Sequence, residues 1–371
     1  MFDKNRQKVI GALPAGTYGV WESGTPRPRI GDQFYPFTPE RDFYYLTGLT
    51  DPNLKLLLTC EGEARLFVER PDPIRVKWVG APLTKGEARI LSGITRVEYL
   101  DEFPESLPGR RLEKEQQRQI LTSCRLIKEE FEIIRIQEAI DLTTKAMKEM
   151  AGHLQPGMWE YQAESWFNFS LLQQGVREFS FPTIMAGGEN SCVLHYCEND
   201  GRLLSGDLLL MDCGAEKNCY CADLTRTFLV NGKFTPRQRA IYDIVLEGHE
   251  RVLDAVEPGK TLLELNQLLR DYYVKALEQL GLIHCAQELD EYYFHSVSHF
   301  LGLWDHDTGE KSTPLQPGMV ITVEPGLYLE KEGFGVRIED DVLVTDVEGV
   351  MLSEEMPREA EEIEELVGRS L

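Results

Sequence analysis

Two stretches of the chain share one arrangement of apolar and acidic positions. In the first, a short apolar run leads directly into Asp212, and a second acid, Asp223, follows 11 residues later. In the second, a mainly apolar run leads into Glu324, and Glu339 follows 15 residues later. Such runs indicate buried strands, and an unpaired carboxylate at the end of a buried strand is costly. We therefore expect the four carboxylates to face one another around bound cations.

The pattern also predicts a pair of helices before each of these stretches. Apolar residues at helical spacing predict helices over about 128–151 and 159–174, separated by a Pro-Gly turn. Thr235 and Thr261, each followed three residues later by Gln or Glu, are typical N-caps of the next two helices. Because the order of helix, turn, helix and acidic strands occurs twice, we predict an internal duplication with the site between its halves.

Residues 1–122 carry a different pattern, which predicts a separate small mixed α/β domain. The predicted elements are a strand at 18–21, strands at 54–60 and 64–68 that form a hairpin, and a helix at 84–91. The Pro- and aromatic-rich segment 26–45 predicts an ordered loop. A change in composition near Ser123 sets the domain boundary, which leaves 123–371 as the second domain of an α+β protein.

Composition limits the possible partners and the compartment. A length of 371 residues suggests two domains. The formal net charge of -23 argues against binding to nucleic acid or to anionic membranes. No stretch has the pattern of a signal peptide or of a membrane span, and the 8 cysteines lack the spacing of a disulfide scaffold. We therefore expect a cytoplasmic protein.

Three of the 7 histidines, His295, His299 and His306, lie within one short segment. A histidine in an apolar setting is commonly a core residue, and three cannot all ligate one site. If one of them joins the four carboxylates, the donors are hard oxygens with one imidazole. This set favours manganese, with cobalt, iron or zinc as alternatives. Four negative charges match two divalent ions better than one, so we predict a dinuclear site.

His195 and a cysteine pair carry weaker signals. His195 lies in a polar loop, where it either donates a hydrogen bond to a substrate carbonyl or oxyanion or is an ordinary loop residue. The spacing leaves both interpretations open. Cys219 and Cys221 have no partner pair at zinc-site spacing. We therefore interpret them as packing thiols.

Five short motifs resemble the ligand motifs of the pita-bread metallopeptidases, which include aminopeptidase P, prolidase, methionine aminopeptidase and the related creatinase. The motifs are Asp212-Cys213-Gly214, Asp223-Leu224-Thr225-Arg226-Thr227-Phe228, His299-Phe300-Leu301-Gly302-Leu303, Glu324-Pro325-Gly326-Leu327-Tyr328 and Arg337-Ile338-Glu339-Asp340-Asp341. The resemblance implies a pita-bread (creatinase-like) catalytic domain with a pseudo-twofold duplication. It also implies two divalent metal ions held by Asp212, Asp223, His299, Glu324 and Glu339. Asp223 and Glu339 would bridge the ions.

The N-terminal domain favours one branch of that family. Tyr35-Pro36-Phe37 and the segment 42–48 resemble aminopeptidase P rather than methionine aminopeptidase. This implies hydrolysis of the Xaa-Pro bond at peptide N-termini by a hydroxide that bridges the two metals, in a homodimer or homotetramer. Prolidase, which takes only Xaa-Pro dipeptides, is the alternative. Two weaker alternatives are a non-catalytic peptide-binding member of the fold and creatinase. A binding member would be expected to have lost metal ligands, and creatinase lacks the metal set.

The resemblance also assigns roles to residues beyond the metal ligands. Within the aminopeptidase P and prolidase branch, His195, His295 and His306 line the pocket around the scissile bond. We expect them to act in catalysis or substrate binding, with His195 stabilising the oxyanion. Glu324 would carry the proton to the proline nitrogen. The predicted substrate-binding set also includes Tyr328 and Arg337, of which Arg337 would orient the acids around Glu339.

Overall fold

A computed structural model describes residues 1–368 of the chain. These residues form two compact units, the first spanning Met1–Arg125 and the second beginning at Leu126. The helices before residue 127 are α1 (Asp3–Ala12), α2 (Arg41–Thr47), α3 (Val76–Val79), α4 (Lys85–Ser92) and α5 (Lys114–Leu126). The strands of the first unit are β1 (Thr17–Glu22), β2 (Pro28–Ile30), β3 (Gln33–Phe34), β4 (Lys55–Thr59), β5 (Ala64–Val68), β6 (Arg96–Tyr99) and β7 (Arg110–Arg111).

The first unit is built on a mixed sheet with the strand order β6-β5-β4-β1-β7. The central strands pair antiparallel, whereas β6 and β7 add parallel edges. The predicted hairpin of β4 and β5 is confirmed. The predicted capping box of α4 is confirmed as well, because Thr84 Oγ1 accepts from the Glu87 N–H while the Glu87 carboxylate accepts from the Thr84 N–H.

The prediction of an ordered loop without regular secondary structure over 26–45 is wrong in two places. β2 and β3 form an antiparallel hairpin there, and α2 begins near the end of the segment. All residues of this hairpin are exposed, so no buried face marks it in the sequence. The sequence pattern also missed α1, which buries Asn5 and Arg6. Their side chains donate to backbone carbonyls of α2 at 3.0 and 2.8 Å, in place of an apolar stripe.

The second unit repeats a pattern of two helices followed by antiparallel strands. Its helices are α6 (Glu130–His153), α7 (Glu160–Gln173), α8 (Pro236–Asp254), α9 (Leu262–Gln279) and α10 (Ala360–Leu366). Its strands are β8 (Glu178–Phe179), β9 (Ile184–Gly187), β10 (Leu208–Cys213), β11 (Ala215–Lys217), β12 (Tyr220–Cys221), β13 (Leu224–Leu229), β14 (Val320–Val323), β15 (Gly326–Leu329), β16 (Phe334–Arg337), β17 (Asp340–Val344) and β18 (Gly349–Met351). The predicted α+β architecture with two similar halves is confirmed.

Two three-stranded sheets bring the acidic residues together. One has the order β13-β10-β9 and the other has the order β14-β17-β18. A bridge between Thr225 and Glu339 links β13 to the segment between β16 and β17, since the Glu339 N–H donates to the Thr225 carbonyl at 3.0 Å. Within the first sheet, Asp212 lies opposite Thr225. The two halves of the duplication therefore meet where their acids lie.

Helices α6, α7 and α8 pack against these sheets. Every residue of β10, β13 and β14 is buried. The apolar residues that recur at helical spacing on α6 are Ile133, Ile136, Ile140, Met147 and Met150, and all of them are buried except Ile133, which is half-buried. Among residues 1–368, no helix is both long and apolar enough to cross a membrane.

Candidate metal centre

Three predicted ligands form a compact cluster at the meeting of the two halves. One ligand atom each from Asp223, His299 and Glu339 lies within 4.8 Å of the other two. His299 Nε2 lies 3.5 Å from Asp223 Oδ2 and 4.0 Å from Glu339 Oε1. These separations are too long for good hydrogen bonds, and the three groups can ligate one cation together.

Glu324 and Asp212 complete the predicted set of five ligands. Glu324 follows β14, and its Oε1 lies 3.6 Å from His299 Nε2. Asp212, near the end of β10, accepts from Arg337 Nη2 through Oδ2 at 2.6 Å. Its Oδ1 is buried and has no hydrogen-bond partner among the described residues. A buried carboxylate oxygen without a donor is costly, and a cation would satisfy it.

The electrostatics of the cluster also call for cations. Burial, reinforced by the neighbouring carboxylates, raises the pKa of Asp223 and of Glu339 well above the usual range. Burial is also the main reason why the pKa of Glu324 rises to about 8, and the Asp212 carboxylate adds to this rise. Several buried carboxylates cannot all ionise side by side without opposing charge. The donor set therefore fits a site for divalent ions.

His299 has the protonation state that a ligand requires. Its Nδ1 lies 3.3 Å from the carbonyl oxygen of Phe300. Because a carbonyl can only accept, Nδ1 carries the proton and Nε2 keeps its lone pair toward the acids. Burial and the neighbouring His306 lower the pKa of His299 to about 3, so the ring is neutral. A backbone acceptor on the far nitrogen is a common way to orient a metal-ligating histidine.

Arg337 joins the two halves through its side chain. Besides Asp212, its guanidinium donates to Tyr328 Oη at 2.8 Å and to Thr225 Oγ1 at 3.2 Å. Thr225 in turn donates its hydroxyl proton to Glu339 Oε2 at 2.7 Å. One buried arginine thus orients carboxylates from both halves, either directly or through a hydroxyl.

His295 lies in the cavity wall with both ring nitrogens in hydrogen bonds. Its Nδ1 donates to the Ser296 carbonyl at 2.8 Å, and its Nε2 accepts from Tyr328 Oη at 2.9 Å. Burial lowers the pKa of His295 to about 3, so the ring is neutral. Since Tyr328 also accepts from Arg337, these side chains form one chain of hydrogen bonds that ends at Asp212. The role of His295 in catalysis or substrate binding stays a prediction. Because both ring nitrogens already have partners, we expect His295 to contact the substrate through the face or edge of its ring.

A cavity of about 640 Å³ opens onto this cluster. All five predicted ligands line it, as do His195, His295, His306 and Arg337, whereas Tyr328 lies behind His295. The His306 ring lies 4.2 Å from that of His299, centroid to centroid, and His195 sits at an exposed position of its loop. The apolar part of the lining consists of Phe181, Pro182, Ile184, Leu194, Leu262 and Phe300, and further polar groups come from Ser296, Ser298, Asp305, Asp307 and Lys311. The cavity thus joins a charged floor to an apolar wall.

Sequence reasoning did not single out Thr225 beneath the cavity, nor Ser296, Ser298 and Lys311 in its lining. Thr225 was quoted only as part of a motif, although strand alternation places it on the same face as Asp223. Lys311 also lines the cavity. Nothing in the spacing around Lys311 marks it, because it lies in a loop without regular structure.

Comparison with known proteins agrees with this geometry. Residues 134–346 match metallopeptidase family M24, and residues 2–120 match the N-terminal domain of aminopeptidase P. The Xaa-Pro aminopeptidases of Haemophilus influenzae and Escherichia coli are each 32% identical to this chain. The alignments cover 99% of this chain and 96% and 97% of those two proteins, respectively. Escherichia coli aminopeptidase P with the inhibitor Pro-Leu is 31% identical, with a TM-score of 0.90 over 98% of this chain and 97% of that chain.

The fold and the acidic site are those of a metallopeptidase. The chain belongs to metallopeptidase family M24, and its N-terminal unit is the one found in aminopeptidase P. Membership of this family implies divalent metal ions at the site. The human Xaa-Pro dipeptidase is a more distant relative, 29% identical over 98% of this chain and 92% of that protein.

Proposed function

We propose that this chain is an Xaa-Pro aminopeptidase, which hydrolyses the bond between the first residue of a peptide and a proline in second position. The observation that carries the proposal is the cavity itself. It combines a floor of buried acids and one neutral histidine with an apolar wall and further histidines. Full-length similarity to Xaa-Pro aminopeptidases supports the same conclusion.

The residues present fit two divalent ions. Asp212, Asp223, His299, Glu324 and Glu339 would hold them, and the unpartnered Oδ1 of Asp212 is one of the donors. Divalent ions bound there supply an acidified water as nucleophile and an electrophile for the carbonyl oxygen. We favour manganese, because the set is mostly hard oxygen with one imidazole. Cobalt, iron and zinc are the alternatives, and the peptide assay described below, repeated with each metal, distinguishes them.

His195 serves as the hydrogen-bond donor to the substrate. Its side chain is exposed at the cavity, on a loop that precedes β10. A ring N–H at this place can donate to the scissile carbonyl and more strongly to the oxyanion that forms from it. His195 therefore stabilises the transition state more than the bound substrate.

Glu324 and His306 act on the other side of the scissile bond. The Glu324 side chain is 15% exposed and lines the cavity, so its carboxylate can take up a proton and pass it to the leaving proline nitrogen. The proline nitrogen has no N–H of its own and fits poorly into strand-like peptide binding. A shaped pocket has to hold the ring instead, and the apolar wall with His306 offers one.

A peptide panel tests this function. The manganese-loaded protein is incubated with an Xaa-Pro dipeptide, an Xaa-Pro-Xaa tripeptide, a longer Xaa-Pro peptide and a matched peptide with alanine in second position. We expect mass spectrometry to show loss of the first residue from the tripeptide and the longer peptide only. Cleavage of the dipeptide alone would identify a prolidase. Absence of cleavage with every metal would identify a binding protein.

Two further expectations depend on composition and resemblance. We infer a homodimer or homotetramer, which light scattering on the purified protein would test. We also infer a cytoplasmic protein that binds neither nucleic acid nor membranes, in keeping with the formal net charge of -23. Fractionation of cells that express the tagged chain would test the location.

A further inference from the structure

A second buried carboxylate lies outside the metal centre and is not used by the mechanism above. Glu160 is the first residue of α7, and it is fully buried. Its Oε1 accepts from the Gly187 N–H at 2.7 Å and from Asn190 Nδ2 at 2.9 Å. Its Oε2 accepts from Tyr196 Oη at 2.7 Å and from the Gly201 N–H at 2.6 Å. All four donors lie in the segment 187–201.

The two ends of this segment are shaped to admit the Glu160 carboxylate. A Cβ atom on Gly201 would lie 2.8 Å from Glu160 Oε2, and one on Gly187 would lie 3.3 Å from Oε1. At Gly201, only glycine lets the backbone approach the carboxylate so closely. The Glu160 N–H also donates to the Gly201 carbonyl at 2.9 Å. The start and the end of the segment are therefore fastened to one side chain.

The middle of the segment carries His195 next to a buried anchor. Tyr196 is 8% exposed, whereas His195 is exposed at the cavity. The Tyr196 ring belongs to a core cluster together with Ile184, Ala186, Leu210 and Tyr328. Its hydroxyl can give its one proton to Glu160, and it accepts from the Asp200 N–H at 3.3 Å. The backbone position of His195 is thus set by the neighbour that Glu160 holds.

We propose that Glu160 is a positioning residue for His195, acting through Tyr196 and through both ends of the segment 187–201. This inference rests on the proposed function, because it takes His195 as the oxyanion donor. Glu160 lines no part of the cavity and touches no metal ligand in the contacts described for residues 1–368. Its effect on turnover therefore has to pass through the segment that it holds.

The first test is a double-mutant cycle on the manganese-loaded enzyme. Glu160→Gln turns an amide NH₂ toward one pair of donors, and we expect kcat to fall at least about 10-fold with little change in KM. In the His195→Ala background, the same substitution should change kcat by less than about twofold. An equal loss in both backgrounds, or no loss in either, would overturn the proposal. If Glu160 acts through His195, the loss of kcat from Glu160→Gln is already contained in the loss from His195→Ala, so the two losses do not add.

The second test does not depend on turnover. Hydrogen–deuterium exchange of the full-length protein should rise in the segment 187–201 of Glu160→Gln, while β10 and β13 keep the exchange rates of the parent protein. Unchanged exchange in this segment would overturn the proposal. If the parent protein cleaves no Xaa-Pro peptide, the proposed function fails, and the exchange data still report whether Glu160 holds the segment.

A matched control lies one turn further along α7. Glu164 accepts from Asn199 Nδ2 at 3.0 Å, and Gln can accept the same bond. We expect Glu164→Gln to change kcat by less than about twofold. If Glu160→Gln does not fold, Tyr196→Phe removes one of the four bonds and keeps the ring. Its loss of kcat should also shrink in the His195→Ala background, and an undiminished loss would refute the proposal.

Discussion

Arg337 Nη2 lies 2.6 Å from Asp212 Oδ2, and both side chains are largely buried. The bond fixes one oxygen of Asp212, while Oδ1 has no partner among the described residues. A carboxylate held in this way is preorganised as a ligand, because its orientation is set before any cation arrives. Arg337 also balances part of the negative charge of the centre, so the two residues act as a unit.

Replacing Arg337 with lysine should weaken metal binding more than it weakens the fold. Lysine keeps the charge but cannot contact Asp212, Tyr328 and Thr225 together. We expect manganese affinity to fall by about 10- to 100-fold, as measured by isothermal titration of the metal-free protein. Arg237→Lys is the control, since Arg237 pairs with Glu332 at a partly exposed site. Equal manganese affinity in the two variants would contradict this account of Arg337.

Thr225→Val should damage both stability and the centre. Valine has the same shape, but it leaves Glu339 Oε2 without a donor and Arg337 Nε without an acceptor. We expect the free energy of unfolding to fall by about 1–3 kcal/mol and manganese affinity to fall as well. Urea denaturation and manganese titration measure the two effects. Thr225→Ser should restore most of both losses.

Thr227→Val provides the matched control on the same face of β13. Its hydroxyl donates to the backbone carbonyl of Arg337 at 3.0 Å, accepts from the Arg337 N–H at 3.1 Å and contacts no carboxylate of the centre. This variant should lose stability by a similar amount while manganese affinity stays that of the parent protein. If both valine variants bind manganese alike, the hydroxyl of Thr225 does not orient Glu339.

His195→Ala should lower turnover and leave the metals in place. The loss of one donor to an oxyanion lowers kcat by about 10²- to 10³-fold in comparable sites. Steady-state kinetics on a tripeptide, together with metal analysis, separates turnover from metal content. His284→Ala is the control, because His284 is exposed and is not one of the residues that line the cavity. Loss of metal from His195→Ala would place this residue among the ligands instead.

The metal-free protein should lose stability as the pH rises. Asp223 and Glu339 have raised pKa values, and that of Glu324 is about 8, whereas unfolded acids titrate near about 4. Between these limits the unfolded state releases protons that the folded state retains, so unfolding becomes more favourable with increasing pH. His295 and His299, with pKa values of about 3, oppose this trend below about pH 6.5, so thermal melts from about pH 6.5 to about pH 8 should show the falling Tm. Manganese should reverse this fall.

A variant with fewer acids tests the origin of that slope. Asp223→Asn combined with Glu339→Gln removes two of the buried groups whose pKa is raised, so its Tm should depend less on pH in the same range. If Tm falls with pH as steeply in this variant as in the parent protein, the pH dependence of stability comes from groups outside the metal centre.

The sequence was most informative where one local rule decides the structure. An apolar run before Asp212 predicted a buried strand, and the capping box of Thr84 and Glu87 predicted the start of α4. The repeated order of helices and acidic strands predicted that the halves meet at the carboxylates. In each case, residues close together in the chain carry the signal.

Contacts between distant residues could not be predicted in this way. The bonds from Arg337 to Asp212 and from the Gly187 N–H to Glu160 join different elements of the second unit, and only the fold brings these residues together. α1 escaped prediction because two of its three buried residues, Asn5 and Arg6, are polar. His295 illustrates the remaining difficulty, since spacing placed it near the site but could not show that both its nitrogens are occupied.

The most direct test is a manganese titration of the metal-free enzyme, with cleavage of an Xaa-Pro-Xaa tripeptide as the readout. We predict no cleavage without metal, full activity at about two manganese ions per chain, and neither tight binding nor cleavage in Asp223→Ala. Full activity of the metal-free protein, or a fully active Asp223→Ala variant, would contradict the assignment of this centre as the catalytic site.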